Sequence, residues 1–386
     1  MISGNVNQKL VMHLAPGHWA GHMRIYHREC LALVEGGYNV HLVAHDLNGE
    51  RLDPRIHFTS LGSYGNSSLS WKLYDRYCRS QKAYSMAIEA EAGLYHFHSP
   101  EFIPLAIKIR RKTERPVIFD CMEDFEGYAL QRRGIPSALR QPLAKIVKRQ
   151  LHSAATACDA VIVSDPGTGK LLQPYAQRVV LIHNFPKVNL FTGGDIPFTE
   201  KPYDVVYHGS IPQYHLEACL AIDDILVSLG YRLKWRFIGQ IPALDWFEAE
   251  LMKRNALERF VLSGLVGHET VARELVKAKI GIIPLPDLPK FQNNIPQKLF
   301  EFMAMGIPVV LSDLPPSRPF VGDGGCGFLV PPQDYQAYAN SIIRLLNDPA
   351  VADRMGKEGR KRVQAEYNWE KESQKLLNLY KELMEK

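Results

Sequence analysis

Thirteen short apolar runs, set between helical stretches, leave this 386-residue chain few folds to choose from. In the first half they fall at residues 10–15, 40–44, 56–61, 94–98, 117–121, 160–164 and 179–183. The second half restarts the series at 204–208, 233–239, 260–264, 280–284, 309–312 and 327–330. Unbroken apolar runs suit strands buried on both faces, and regular strand–helix alternation makes their sheet parallel. Two such series predict an α/β protein of two Rossmann-like, doubly wound parallel-sheet domains, and the length suffices for two cores. The polar and Pro-containing stretch 184–191, followed by Gly and Pro at 193–197, reads as the linker. The expected units are 1–186, 187–366 and a closing helix over 367–386. Residues 334–346 and 370–383 have the periodicity of amphipathic helices.

The segment 293–313 carries the most chemistry. A polar turn with Pro296 leads into a helix, Gly306 ends it, and Val309 to Leu311 is a buried strand. Unpaired amides and the positive dipole end at such a helix start suit a phosphate. Lys298 sits in the first turn and Glu301 one turn on, on the same face. A cation for phosphate beside a carboxylate for sugar hydroxyls is what a nucleotide-sugar site needs; a capped helix with a surface Lys–Glu pair is the plainer alternative.

This segment resembles the donor-binding signature of family 4 glycosyltransferases, which have the two-domain GT-B fold with two lobes facing a cleft. That signature has two glutamates seven residues apart and then Met-Ala-x-Gly-x-Pro-Val. Glu301 matches the second glutamate, and Asn293 stands at the first. Pro296, Lys298, Phe300 and Glu301 match the Pro-x-Lys-x-Phe-Glu variant of the family. The resemblance implies donor contacts from Asn293, Asn294, Gln297, Lys298 and Glu301.

Further positions extend the resemblance. Tyr207-His-Gly-Ser210 follows the first strand of the second half, so Gly209 and Ser210 can bring amides to the diphosphate. The family's basic pair near there is missing, with Ser210 and residues 213–215 in its place, which leaves Lys298 as the phosphate cation. The loop from Gly264 through Val266 resembles the one that holds a nucleobase by backbone groups.

In the first half, a glycine-containing loop with Gly21 feeds a helix bearing Arg24, similar to the family's opening; Arg24 contacts a ligand or pairs with a nearby acid. His98 and Glu101 lie at the carboxyl end of the fourth run, where open α/β sheets bind ligands, with Ser99 as helix cap. Together Gly21, Arg24, His98 and Glu101 are the acceptor-binding candidates. Asp120, Glu123 and Asp124 end the fifth run. Many family members have histidine where this chain has Met122, and methionine cannot act as a base. Glu123 and Asp124 are therefore the favoured acceptor-activating groups, with Lys298 as the third catalytic candidate.

Charge is uneven. Residues 1–187 hold 23 basic and 16 acidic residues, the remainder 23 and 25, so the first half is the one suited to an anionic surface. The helix expected from 138 to 151 places Leu139, Leu143, Ile146, Val147 and Leu151 on one stripe, with Arg140, Lys145, Lys148 and Arg149 elsewhere. Such a helix packs on the sheet or lies on an anionic membrane. The six cysteines form no Cys-x-x-Cys pair, and the fourteen histidines no metal motif. His96 and His98 share one strand face, but no metal or cofactor is expected. No run approaches membrane-spanning length, and the first residues do not read as a signal peptide. The expected location is cytoplasmic, with peripheral contact on the inner face of the membrane.

The reading is a retaining, metal-independent transferase moving sugar from a nucleotide diphosphate sugar to a saccharide or lipid-linked acceptor, in cell-surface glycan synthesis. Nucleic acid is not an expected partner. The alternatives are a GT-B sugar-nucleotide epimerase and a non-catalytic partner of another transferase.

Overall fold

A computed structural model of the chain describes residues 9–46, 51–63, 69–131, 135–192, 196–322 and 325–385. Of the expected hinge, residues 193–195 lie outside these. The chain divides into one unit of Met1–Asn184 with Lys371–Lys386 and a second of Phe185–Glu370.

The first unit is built on seven strands: β1 (Leu10–Trp19), β2 (Asn39–His45), β3 (Ile56–Ser60), β4 (Leu94–Phe97), β5 (Val117–Cys121), β6 (Ala160–Val163) and β7 (Val179–Leu181). Their order is β3-β2-β1-β4-β5-β6-β7, and every pairing is parallel. The second has six: β8 (Tyr203–His208), β9 (Trp235–Ile238), β10 (Phe260–Leu262), β11 (Ala278–Ile283), β12 (Val309–Ser312) and β13 (Gly327–Val330). Their order is β10-β9-β8-β11-β12-β13, again all parallel. All thirteen runs read from the sequence are strands, and both sheets are doubly wound. Strand order reverses between β1 and β4 in one unit and between β8 and β11 in the other. Those switch points open crevices outside the carboxyl ends of the strands.

Seven helices matter below: α1 (Phe125–Gln131), α2 (Ser137–Ala157), α3 (Gln213–Ser228), α4 (Gln297–Ala304), α5 (Tyr335–Asn347), α6 (Pro349–Ala365) and α7 (Trp369–Met384). The end of α4 follows from its sequence. Gly306 takes φ +66, its amide donates to Met303 O and that of Ile307 to Phe302 O, the paired bonds of a glycine-terminated helix. Asp334 and Asp348 cap α5 and α6 by accepting from Ala337 N and Val351 N. In α7, Leu376, Leu379, Tyr380 and Leu383 are buried, the stripe its periodicity predicts.

Three expectations need correction. β1 does not stop at Ala15 but runs to Trp19, with an irregularity that lets Trp19 pair with His45. Ser99 makes no side-chain cap bond; its hydroxyl is buried, at the start of a single 3-10 turn. The apolar stripe of α2 splits. Ala144, Leu151, Ala154 and Ala155 are buried, whereas Leu139 and Ile146, seven residues apart and so on one face, are 56% and 54% exposed.

Candidate functional site

The crossover in the second sheet places the end of β8 beside β11, and the residues there are Tyr207, His208 and Gly209. Side chains alternate along a strand, so Tyr207 and His208 face opposite ways. Each meets a side chain of α4. Lys298 Nζ donates to Tyr207 Oη at 2.8 Å and lies 4.1 Å from the centre of its ring. His208 Nε2 is 3.2 Å from Glu301 Oε2, with its ring edge-on to Phe302. One turn of helix thus sets a cation and a carboxylate on consecutive residues of the central strand.

Burial lowers the Lys298 pKa to about 8, against the opposing pull of Glu301 and Cys219. Tyr207, fully buried, is pushed up by desolvation, so it stays a phenol. Its hydroxyl also hydrogen-bonds His215 Nδ1, on the first turn of α3.

Backbone crowding completes the crevice. Gly209 takes φ +98, and its amide donates to Ile238 O at 2.8 Å. Gly239 takes φ +133 and donates to Gly264 O at 2.8 Å. A β-carbon on Gly239 would stand 2.0 Å from Gly209 O, so only glycine fits. The carboxyl ends of β8, β9 and β10 are stitched together by these contacts. Lys298 Nζ lies 3.7 Å from where a Gly209 β-carbon would be, so the ammonium stands over this glycine; the Gly209 amide itself is committed to Ile238 O, against the expectation that it serves the diphosphate.

The structure therefore brings Gly209, Gly264, Lys298 and Glu301 into one neighbourhood. Ser210 and Gln297 are exposed, and Val266 packs on the apolar cluster beneath α4. Asn293 closes a short helix, Pro289–Asn293; the Asn294 side-chain oxygen is buried without a hydrogen bond among the described residues. Sequence reading missed Tyr207, His208, His215 and Gly239. The Tyr-His-Gly triplet is visible in the sequence, but nothing local says which helix a strand's side chains meet.

In the first unit, the acceptor candidates lie deeper than the sequence suggested. Arg24 is 2% exposed and its guanidinium is held by acceptors of the chain itself: Asp120 at 2.7 and 2.9 Å, Ile182 O at 3.0 Å and Asn184 Oδ1 at 2.7 Å, with Glu29 at 3.1 Å. Pairing with a nearby acid, rather than ligand contact, is what its surroundings support. His98 is fully buried, Gly21 is buried after β1, and Glu101 is half-buried 3.5 Å from Arg76. Asp124 accepts from Gly127 N at 2.8 Å and so caps α1, while Glu123 is exposed. Both line a cavity of about 240 Å³ with Lys148, His152, Thr168 and Tyr175. Of the two carboxylates, Glu123 is the one left open to an acceptor.

His98 belongs to a hydrogen-bond chain whose direction is fixed by its end. Burial pushes Asp120 up, but Arg24 and His98 outweigh it and hold the carboxylate ionised. It therefore accepts from His98 Nδ1 at 3.2 Å. Burial holds His98 neutral, so its Nε2 is bare and accepts from His13 Nδ1 at 3.0 Å. His13 and His96 are held well below the usual imidazole range for the same reason. Tyr380 then donates to His13 Nε2 at 3.0 Å and accepts from His96 Nδ1 at 2.7 Å. His13, Glu29, His96 and His98 bring possible metal-ligand atoms within 4.8 Å of one another. Most of their imidazole nitrogens are committed to this chain, which ties α7 to the β1–β4 switch point instead.

Residues 195–362 match the family described as glycosyl transferases group 1. An alpha-D-kanosaminyltransferase of Streptomyces kanamyceticus is 26% identical over 184 residues, 46% of this chain and 45% of that one. The chain spans less than half the length of the curated relatives it matches. Among solved structures, sucrose-phosphate synthase from Thermosynechococcus elongatus superposes with a TM-score of 0.74 at 21% identity, over 97% of this chain and 98% of that one. Anabaena HepE, in complex with UDP and glucose, gives 0.69 at 14% identity over 96% and 98%. At such identities these likenesses establish the two-domain α/β fold.

Proposed function

We propose, on the match of residues 195–362 to the family described as glycosyl transferases group 1, that the protein transfers a sugar from a nucleotide diphosphate sugar to a saccharide or lipid-linked acceptor. The observation that carries this reading is the double pairing of Tyr207 with Lys298 and of His208 with Glu301 at the β8–β11 switch point. A cation standing over the Gly209 turn suits the diphosphate, and a carboxylate one turn away suits the hydroxyls of the attached sugar. The kanosaminyltransferase supports sugar transfer as the reaction, and HepE in complex with UDP and glucose supports a sugar nucleotide as donor.

In the proposed reaction the acceptor oxygen bonds the anomeric carbon as that carbon's bond to the diphosphate oxygen breaks. The acceptor proton passes to the departing phosphate on the same face, so configuration is retained. Lys298 and the Gly209 region stabilise the charge that develops on the diphosphate. No metal has a part in this scheme. Glu123, exposed beside the first unit's cavity, is the group offered to the acceptor.

The exposed Leu139 and Ile146, with Arg140, Lys145, Lys148 and Arg149 on the same helix, support peripheral contact with an anionic membrane, from which a lipid-linked acceptor is reached. No helix among the described residues is long and apolar enough to cross a membrane. Cell-surface glycan synthesis on the cytoplasmic side is the role proposed for such an enzyme.

The test is a thermal-shift screen of UDP-, GDP- and ADP-sugars, since a ligand that binds only the folded state raises the melting point. The expected result is a rise with one base class, and sugar transfer when that donor meets saccharide acceptors. If no sugar nucleotide raises the melting point, the reading fails.

A further inference from the structure

Lys298 is the donor-site cation, and what surrounds it is a device in its own right. We propose that Tyr207 and His215 are positioning residues that fix the Lys298 ammonium over Gly209, where it meets a donor diphosphate. The proposal rests on the donor-site reading above.

The argument is one of donors and acceptors. An ammonium has only protons to give, so in the 2.8 Å contact Tyr207 Oη receives one from Lys298 Nζ. The phenolic proton must then point elsewhere, and the partner present is His215 Nδ1. That nitrogen must be bare to accept it. His215 is 4% exposed, and burial, reinforced by the Lys298 charge, holds its pKa at about 2, so it is neutral. The three groups form a one-way chain from Lys298 through Tyr207 to His215. Its effect is to aim the Tyr207 lone pair at the ammonium.

The long lysine stem would otherwise sample many rotamers. Here the ammonium is held 4.1 Å over the centre of the Tyr207 ring and 3.7 Å from the Gly209 β-carbon position. One N–H is engaged by Tyr207, and the other two have no hydrogen-bond partner among the described residues. The remaining charged or titratable neighbours acting on Lys298 are Glu301 and Cys219, which favour its charged form, and Lys290, which opposes it. Cys219 is itself pushed far up by burial and stays a thiol, and so takes no part in titration near neutrality. The chain makes Lys298 a preorganised phosphate ligand, while burial lowers its pKa to about 8.

The experiment uses the full chain with lysine labelled by 13C at Cε, titrated by NMR without ligand; the Lys298 signal is the one lost in Lys298→Arg. In the unaltered protein its inflection is expected near pH 8. Tyr207→Phe keeps the ring but removes the acceptor, so the inflection should fall. His215→Leu should act like Tyr207→Phe, whereas His215→Asn, whose amide oxygen replaces Nδ1 as acceptor, should restore it. UDP, GDP and ADP are then titrated. Whichever binds should bind about tenfold more weakly to Tyr207→Phe and His215→Leu, the scale of one lost hydrogen bond to a charged group, and near normally to His215→Asn. An inflection unmoved by both Tyr207→Phe and His215→Leu, while a nucleotide still shifts Lys298, overturns the positioning role alone. If no nucleoside diphosphate perturbs Lys298 in the unaltered protein, the donor-site reading falls and this proposal with it.

Discussion

His208 Nε2 stands 3.2 Å from Glu301 Oε2, one strand residue beyond the Tyr207 that holds Lys298. The pairing means that α4 does not merely pack on the sheet. Its two charged residues, one turn apart, are each registered to a neighbouring position at the carboxyl end of β8. Their separation is thereby set by the strand rather than by side-chain rotamers, as a site binding one ligand with two functional groups requires.

In the proposed function Glu301 serves the sugar and Lys298 the diphosphate, and substitution separates the two roles. Glu301→Gln keeps the shape but loses the charge, removing a charge-assisted contact of about 1.5–3 kcal/mol. The expected result is a fall in kcat/KM for the sugar nucleotide of roughly ten- to a hundredfold, with binding of the free nucleoside diphosphate nearly unchanged. Steady-state kinetics beside calorimetry with the diphosphate check this. Equal loss in both would move Glu301 to the phosphate.

The Gly209–Gly239 contact makes a sharper test of the crevice. Gly239→Ala combines a φ of +133 with a β-carbon 2.0 Å from Gly209 O, so the loop carrying Gly209 must move. Gly230→Ala is the control, since it has φ +91 but nothing within 4 Å of the new β-carbon. Both should lose about 1 kcal/mol or more of stability by denaturant unfolding. Only Gly239→Ala should also lose nucleotide affinity.

How much of this was legible in the sequence depends on how far a feature reaches along the chain. The strands show because each needs only a few consecutive apolar residues, and the end of α4 shows because Gly306 alone supplies the left-handed turn. Helix α6 carried two local signals, Asp348 and Pro349, which were passed over. The Arg24–Asp120 pair spans 96 residues and the Tyr380–His13 bond 367, so no window of sequence contains either. The apolar stripe of α2 is visible in the sequence, but not that it splits into a buried and an exposed part. Which of its residues the domain would cover was decided by packing against α1 and the sheet.

The buried histidines predict acid sensitivity. Burial holds His13 and His96 well below 6.5, and depresses His18 to about 4 and His22 to about 3. A group whose pKa is depressed by folding stabilises the native state above its unfolded pKa, and that contribution is lost as pH falls toward the folded value. Stability of the first unit should therefore decline from about pH 6.5 downward, by about 1.4 kcal/mol per pH unit for each such histidine. Glu29, pushed up by burial and Asp120, opposes this with one proton. Urea unfolding at pH 7, 6 and 5 measures the net slope; a flat profile would mean that these imidazoles are charged in the native state.

Tyr380→Phe probes the same chain at constant pH. The phenol receives a proton from His96 and gives one to His13, so its loss strands a buried donor and a buried acceptor. Each costs about 1–3 kcal/mol, and the melting temperature should fall by several degrees. Because Tyr380 lies on α7, local hydrogen exchange should rise most along 371–384. A global loss without that local signature would place the cost elsewhere.

The face of α2 offers the last test. Leu139 and Ile146 are over half exposed, and the helix carries Arg140, Lys145 and Arg149 beside Lys148, which pairs with Glu126, and has no acid of its own. Isolated exposed apolar residues need no explanation, but a pair one heptad apart among cations matches a surface that enters an anionic interface. Each basic residue near such a surface contributes about 1 kcal/mol, and the two side chains add their burial in the acyl boundary. The protein should therefore sediment with vesicles of anionic phospholipid, less so as salt is raised, and not with neutral vesicles. Leu139→Glu with Ile146→Glu should abolish sedimentation while changing unfolding by about 0.5 kcal/mol or less for each position, since neither side chain is part of the core. If the double variant sediments as before, this face is ordinary solvent-exposed helix, and the acceptor must reach the enzyme by another route.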